Sequence, residues 1–399
     1  MNVKARLALI VAVFLSILAA CGGGGSGPVG GGGIGGTGSP STAGTVRIYL
    51  ADAPACGYDA VFVTVQKVRL HQSASASDSD GGWSEVVLNP ARRVDLLTLT
   101  NGVLEDLGQT GLPPGKYTQL RLVLADNDSA APLANAVVPT GGRETALDTS
   151  NIAQGGIKVN ADIDVAAGAE TDLVLDFDAC KSVVRRGNSN RYGLKPVVTV
   201  LPKTSEPGLR VTGYVAPAMS NASTNVSLQS GGIPVRATHP DGNGRFVLYP
   251  VPSGTYDLVV TADGRTTAVM TGVPVTSPQP TTVGSPALPI DPPVAAARSV
   301  TGAVSPTSAT VRALQTLDGG TTVEVGWAPV DATTGAFGFA LPMTPTVTAR
   351  YAAGATTFAF APDPAVALRY TIEASTAQGT QTRPIDVLGA VPPLSFTLP

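Results

Sequence analysis

The chain has 399 residues, a formal net charge of −3 and only 14% charged side chains. That excludes the basic footprint by which proteins hold nucleic acid, and the length allows two or three domains of ~100–200 residues. The 46 glycines and 33 prolines are mostly spaced through apolar, β-branched sequence, which predicts many short strands joined by tight turns and an all-β chain.

Residues 1–20 open with Lys4 and Arg6, followed by an uncharged apolar run from Leu7 to Ala20. The run has the length of a signal-peptide core and falls short of the ~20 residues a bilayer span needs. Residues 21–44 are a Gly-rich stretch with no side chains to build a core, and they read as a flexible tether. Their glycines do not form a phosphate loop, because no strand precedes them and no Lys-Ser/Thr pair follows.

From Thr45 the pattern alternates. Val46, Ile48 and Leu50 interleave with Arg47, Tyr49 and Ala51, and Val61-Val63-Val65, Leu120-Leu122-Leu124 and Leu173-Leu175-Phe177 repeat the period of two. Turn residues such as Asn101-Gly102, Gly141-Gly142 and Gly187-Asn188 separate the runs, the signature of an antiparallel sandwich over 45–202. A second unit is expected over 207–290 and a third over 297–399, giving three β-sandwiches in series.

The last two units read as copies. Val211-Thr-Gly-Tyr-Val215 matches Val300-Thr-Gly-Ala-Val304, and Asp241-Gly-Asn-Gly-Arg-Phe246 matches the stretch from Asp331 to Phe337. Tyr256-Asp-Leu-Val-Val260 has its counterpart in Tyr370-Thr-Ile-Glu-Ala374 after a longer insertion. Both need a Gly-bearing hairpin turn followed by an inward aromatic.

Chemistry is sparse. The two histidines, His71 and His239, lie in different units and read as surface residues, so no nucleophile has an adjacent base. The one other group is acidic: Asp52, Asp95, Asp176 and Asp178. Alternation places Asp176 and Asp178 on one strand face, ~6–7 Å apart. Four carboxylates are candidate Ca²⁺ ligands, and a pair at that spacing suits a glycosidase. The favoured reading is structural, with each acid taking backbone N–H groups or pairing with Arg121, Lys158 or Lys195. Asp241-Gly-Asn-Gly resembles the start of a calcium loop but lacks the distant Glu and reads as a turn. Of the tryptophans, Trp83 reads as core and Trp327 is the other candidate stacking surface.

Leu18-Ala19-Ala20-Cys21 resembles the lipobox of bacterial lipoproteins. The resemblance implies cleavage before Cys21, a diacylglycerol on its sulfur and an acyl chain such as palmitate on its amine. Gly22, where lipoproteins retained at the inner membrane often carry Asp, implies the outer membrane. With Cys21 consumed, Cys56 and Cys180 are left as an even pair in an oxidising setting, favouring a disulfide over two buried thiols.

The first unit resembles domain-of-unknown-function family 4382. The likeness rests on Leu50-Ala-Asp52-Ala-Pro54, Gly82-Trp83, Val94-Asp95-Leu-Leu97, the stretch from Leu112-Pro-Pro-Gly-Lys-Tyr117 to Leu124, and Leu173-Val-Leu-Asp-Phe-Asp178. It implies an exported β-domain of unknown activity. The second unit resembles the carboxypeptidase regulatory-like, transthyretin-like sandwiches through Asp241-Gly-Asn-Gly-Arg-Phe246 and Val251-Pro-Ser-Gly-Thr-Tyr256. The third is similar but has no Pro-x-Gly-x-Tyr before its strand.

The expectation is a lipid-anchored envelope protein without catalytic residues or cofactor, a binding or structural module whose partner is the membrane and an envelope protein or glycan. Two alternatives stand beside it: a glycan-acting enzyme or enzyme accessory using the acidic face, and a calcium-stabilised adhesin.

Overall fold

The computed structural model describes residues 42–52, 57–150, 152, 155–203, 206 and 208–399. The expected signal peptide, Cys21, residues 21–41 of the expected tether and Cys56 lie outside the described residues, whereas Gly44, at the end of that expected tether, opens the first strand.

The chain is all-β. The first sandwich contains β1 (Gly44–Asp52), β2 (Tyr58–His71), β3 (Ser84–Asp95), β4 (Glu105–Leu112), β5 (Gly115–Leu124), β6 (Ala136–Pro139), β7 (Thr145–Asp148), β8 (Ile157–Val165) and β9 (Glu170–Phe177). One helical turn, α1 (Ala179–Ser182), follows, then β10 (Val183–Arg185), β11 (Tyr192–Leu194) and β12 (Val198–Pro202). The predicted alternation is realised: Val46, Ile48 and Leu50 are fully buried while Arg47 and Tyr49 point outward. One sheet runs β12-β9-β1-β4, and the other runs β10-β11-β7-β6-β2-β5-β8 with β3 also on β2.

The second sandwich has β13 (Val211–Tyr214), β14 (Asn225–Ser230), β15 (Ile233–Thr238), β16 (Arg245–Leu248), β17 (Gly254–Thr261), β18 (Ala268–Val275) and β19 (Thr281–Val283). The third starts with β20 (Ala297–Ser305), β21 (Thr310–Thr316), β22 (Thr322–Ala328) and β23 (Ala336–Pro342). An insertion then carries β24 (Val347–Arg350) and β25 (Ala361–Pro362), before β26 (Arg369–Ser375), β27 (Thr380–Asp386) and β28 (Leu394–Thr397).

The two C-terminal sandwiches share one strand plan. The opening strand is flanked by an antiparallel and a parallel neighbour, β16-β13-β19 and β23-β20-β28. The facing sheets run β15-β14-β17-β18 and β22-β21-β26-β27. The repeated Thr-Gly has a packing cause. A Cβ on Gly213 would enter the Phe246 ring and the Val283 carbonyl, and one on Gly302 would enter the Phe337 ring and the Leu394 carbonyl. Both phenylalanines are buried. The Gly-bearing turns before them differ from the sequence reading. They are not hairpins, because β15 and β16 belong to opposite sheets, so each turn is a corner between sheets.

The first sandwich carries the same plan beneath its additions. β4-β1-β9 repeats β16-β13-β19, again antiparallel on one side and parallel on the other, and β3-β2-β5-β8 repeats β15-β14-β17-β18. One tyrosine marks the shared position. Tyr117 in β5 donates its hydroxyl to the Pro113 carbonyl at 3.0 Å, Tyr256 in β17 to Pro252 at 2.9 Å, and Tyr370 in β26 to Pro342 at 2.8 Å. In the third sandwich the insertion lies between the two partners. It leaves its own sandwich and adds β24 to the second one, parallel to β18, where Val347 joins the core.

Candidate functional site

The acids named by the sequence are all engaged. Asp52 closes β1 fully buried, and its Oδ1 accepts the Ala179 N–H at 2.8 Å, tying the first strand to α1. Asp95 ends β3 and caps the turn that follows, its Oδ1 accepting from Val61 N at 3.1 Å and Leu97 N at 3.2 Å. Burial pushes its carboxyl above the usual range against those two bonds.

Asp176 and Asp178 do not share a strand face. β9 stops at Phe177, and Asp178 instead caps α1, with Oδ1 accepting Lys181 N at 2.9 Å. Asp178 is pushed up to about 6, chiefly by desolvation, with Lys181 working in the opposite direction. Asp176, buried, forms an ion pair with Arg236 of the second sandwich.

The bases expected to pair with these acids are used elsewhere. Arg121 pairs with Asp78, Lys158 donates to the Ala74 carbonyl, and Lys195 donates to the Ala309 carbonyl at 2.9 Å. Among the described residues no three His, Cys, Asp or Glu side chains converge as a metal-ligand group. Asp95 sits with β2, apart from the surroundings of Asp176 and Asp178.

Sequence reasoning missed where the charges do meet, which is between sandwiches. Lys181 of the first lies 3.7 Å from Asp178 and 3.3 Å from Glu324 of the third, with its ammonium 4.7 Å from the centre of the Trp327 ring. Glu324 is also 3.5 Å from Arg312, which pairs with Glu373 at 2.7 Å. Gln229 of the second sandwich accepts from Glu324 N at 2.7 Å and donates to Glu324 O at 2.8 Å. Asn101 N donates to Thr238 Oγ1, and Val247 N donates to Asn101 Oδ1, both at 2.9 Å. Gly187 N reaches Asp331 Oδ2 at 2.7 Å. A cavity of about 1050 Å³ opens at this junction, with Asp176, Asp178, Lys181, Arg236, Glu324 and Trp327 on its walls. Cys180 lies on the same wall, in α1.

The aromatic and histidine readings also change. Trp83 is not core: it lies half-buried on the sheet face under the Arg69 and Arg121 guanidiniums, 4.4 and 5.0 Å from its ring centre. His71 packs on it at 5.0 Å and accepts Ser73 N at 2.8 Å, bracing the Ser-rich loop. His239 is half-buried against Thr100 of the first sandwich, and burial lowers its basicity.

Comparison with known proteins matches one stretch of the chain to a family model. Residues 43–196 match the family model described as a domain of unknown function, DUF4382. No curated protein matches the chain. Among solved structures, an N-terminal interface mutant of a type II cohesin–X-dockerin complex from Acetivibrio cellulolyticus is 24% identical with a TM-score of 0.20. That alignment covers 22% of this chain and 59% of the other. A streptococcal ancillary pilin is 8% identical with a TM-score of 0.17, over 89% of this chain and 98% of the pilin. Likenesses of this size carry no functional argument.

Proposed function

We propose that the chain is a non-catalytic structural and binding module, held at a bacterial cell envelope by lipid on Cys21. The observation that carries this is the use of its charged groups. Asp176, Lys181, Arg236 and Glu324 join one sandwich to another, and Asp52, Asp95 and Asp178 cap backbone. Those on the cavity wall are already engaged within the fold, whereas a general acid or base must be free to exchange a proton with a substrate. Three sandwiches tied by paired charges form a spacer, and the junction cavity supplies the binding half of the reading.

The lipid anchor and an outer-membrane location are supported by Lys4, Arg6, the apolar run to Ala20, Cys21 and Gly22. A Cys56–Cys180 disulfide is part of the same proposal, as is a carboxypeptidase regulatory-like assignment for the last two sandwiches, supported by their common strand plan. The test is crosslinking in intact envelopes followed by pull-down, with a C21A variant beside it. The proposal expects the wild type in the membrane fraction with an envelope partner and C21A in the soluble fraction. C21A retained in the membrane sinks the anchor, and two free thiols in a non-reducing peptide map sink the disulfide.

A further inference from the structure

β8 (Ile157–Val165) is the last strand of the large sheet in the first sandwich, with β5 on one side of it. Its register against β5 shifts between Tyr117 and Gln119, yet its own alternation is unbroken. Ile157, Val159, Ile163 and Val165 are buried, and Lys158, Asn160, Asp162 and Asp164 are exposed. Among the described residues no backbone group of this strand bonds outside its pairing with β5. Its alternate N–H and C=O groups therefore face outward along the edge, a template for another strand.

The side chains of this edge make a self-complementary set. Reversing the strand about Ala161 brings Lys158 opposite Asp164 and Asn160 opposite Asp162, and sets Ile157 against Val165 and Val159 against Ile163. Directly opposed side chains in an antiparallel pair lie ~4.5–5.5 Å apart at Cβ, so each Lys158 would meet one Asp164. Neither is ion-paired among the described residues. Lys158 donates to the uncharged Ala74 carbonyl at 2.6 Å, and Lys116, the cation that acts on Asp164, is itself paired with Asp162 at 2.7 Å. Charges on an edge strand block most pairings. Moving the axis by one residue to Asp162 sets two Asp162 carboxylates face to face, so the same charges that allow the Ala161 register reject that one.

We propose that β8 is a dimer interface, at which a second copy of this chain pairs its own β8 antiparallel about a twofold axis at Ala161. The two large sheets then join edge to edge. The contact is isologous, as a twofold axis requires, since each copy gives the same strand. Backbone bonds along the edge supply the attraction, and the Lys158–Asp164 pairs, formed once on each side of the axis, fix the register. A second copy is the occupant because the strand's own sequence is its complement.

Zero-length carbodiimide crosslinking of the full chain, read by mass spectrometry, tests this. Lys116 and Asp162 meet within one chain and should link in every sample. Lys158 and Asp164 stand ~20 Å apart along one extended strand, so a link between them must join two copies. That link is expected, and it should grow with protein concentration. In sedimentation velocity the wild type is expected to dimerise in the micromolar range, K158D about tenfold more weakly or worse, and K158D/D164K to recover most of the loss. Recovery by the exchanged pair excludes misfolding as the cause of the K158D defect. Absence of the Lys158–Asp164 link while Lys116–Asp162 forms, a wild type monomeric up to about 100 μM, or a double variant no better than K158D overturns the proposal.

Discussion

The Tyr370 hydroxyl donates to the Pro342 carbonyl at 2.8 Å although 28 positions separate them. In the other two sandwiches the same bond spans four positions, Tyr117 to Pro113 and Tyr256 to Pro252. The third sandwich thus keeps the contact while its loop has grown into β24 and β25. Tyr370 is almost wholly buried, and removing its hydroxyl takes the donor from the half-buried Pro342 carbonyl. Y370F is expected to lower stability by about 1–2 kcal/mol. With only two tryptophans in the chain, a W83F background lets Trp327 fluorescence report the third sandwich during urea unfolding. A midpoint unmoved by Y370F in that background contradicts the expectation.

The insertion is shared: β24 and Val347 join the second sandwich, while Val366, Leu368 and the Asp363 bonds to Asp318 N stay with the third. Replacing residues 347–362 by Asn-Gly joins Thr346 to Asp363, whose N–H already donates to the Thr346 carbonyl at 2.8 Å. The third sandwich should still fold, since its strand pairings and core do not use residues 347–362. The second should weaken, because β18 becomes a bare edge and Val347 leaves the core. The shortened chain is expected to associate at concentrations where the wild type stays monodisperse, as measured by light scattering. Loss of the third sandwich's fold instead would show that the insertion holds its own domain.

Arg236 and Asp176 form the ion pair between first and second sandwiches. Both side chains are buried, at 2% and 10% exposure, so removing one leaves an uncompensated charge out of water. R236M is expected to cost about 3–5 kcal/mol, whereas the R236M/D176N double variant should cost clearly less. A double-mutant cycle from denaturant unfolding measures this, and additive single costs would mean the pair does not couple.

Legibility followed the range of the interaction. Strands were readable because alternation is local, and the second and third sandwiches were readable as copies because Gly213 and Gly302 are each forced by a ring, Phe246 and Phe337, in the same plan. The same plan in the first sandwich was hidden by strands added between its equivalents, although Pro113-Pro-Gly-Lys-Tyr117 and Pro252-Ser-Gly-Thr-Tyr256 were there to be matched. Partners across sandwiches left no signal at all: nothing in the neighbourhood of Asp176 points to Arg236, or of Lys181 to Glu324. The end of β9 was misplaced for a local reason. Alternation alone does not mark where a strand stops, and the sign of the stop, Asp178 three residues before Lys181, is an N-cap.

That cap gives a pH signature. Asp178 sits at about 6 in the folded chain against 3.8 for the free side chain, because desolvation outweighs Lys181. The folded state therefore holds the proton more tightly than the unfolded state. The stability this contributes is complete below pH 3.8 and is lost as pH rises through about 6. A shift of roughly two units corresponds to on the order of 3 kcal/mol. D178N keeps the cap, since Asn serves that position as well as Asp, and removes the titration. The variant and the wild type should match near pH 4, and the variant should be the more stable at pH 7 by up to that amount. Unfolding free energies across that range test it. A difference that stays constant with pH would mean that the junction solvates the Asp178 charge as well as water does.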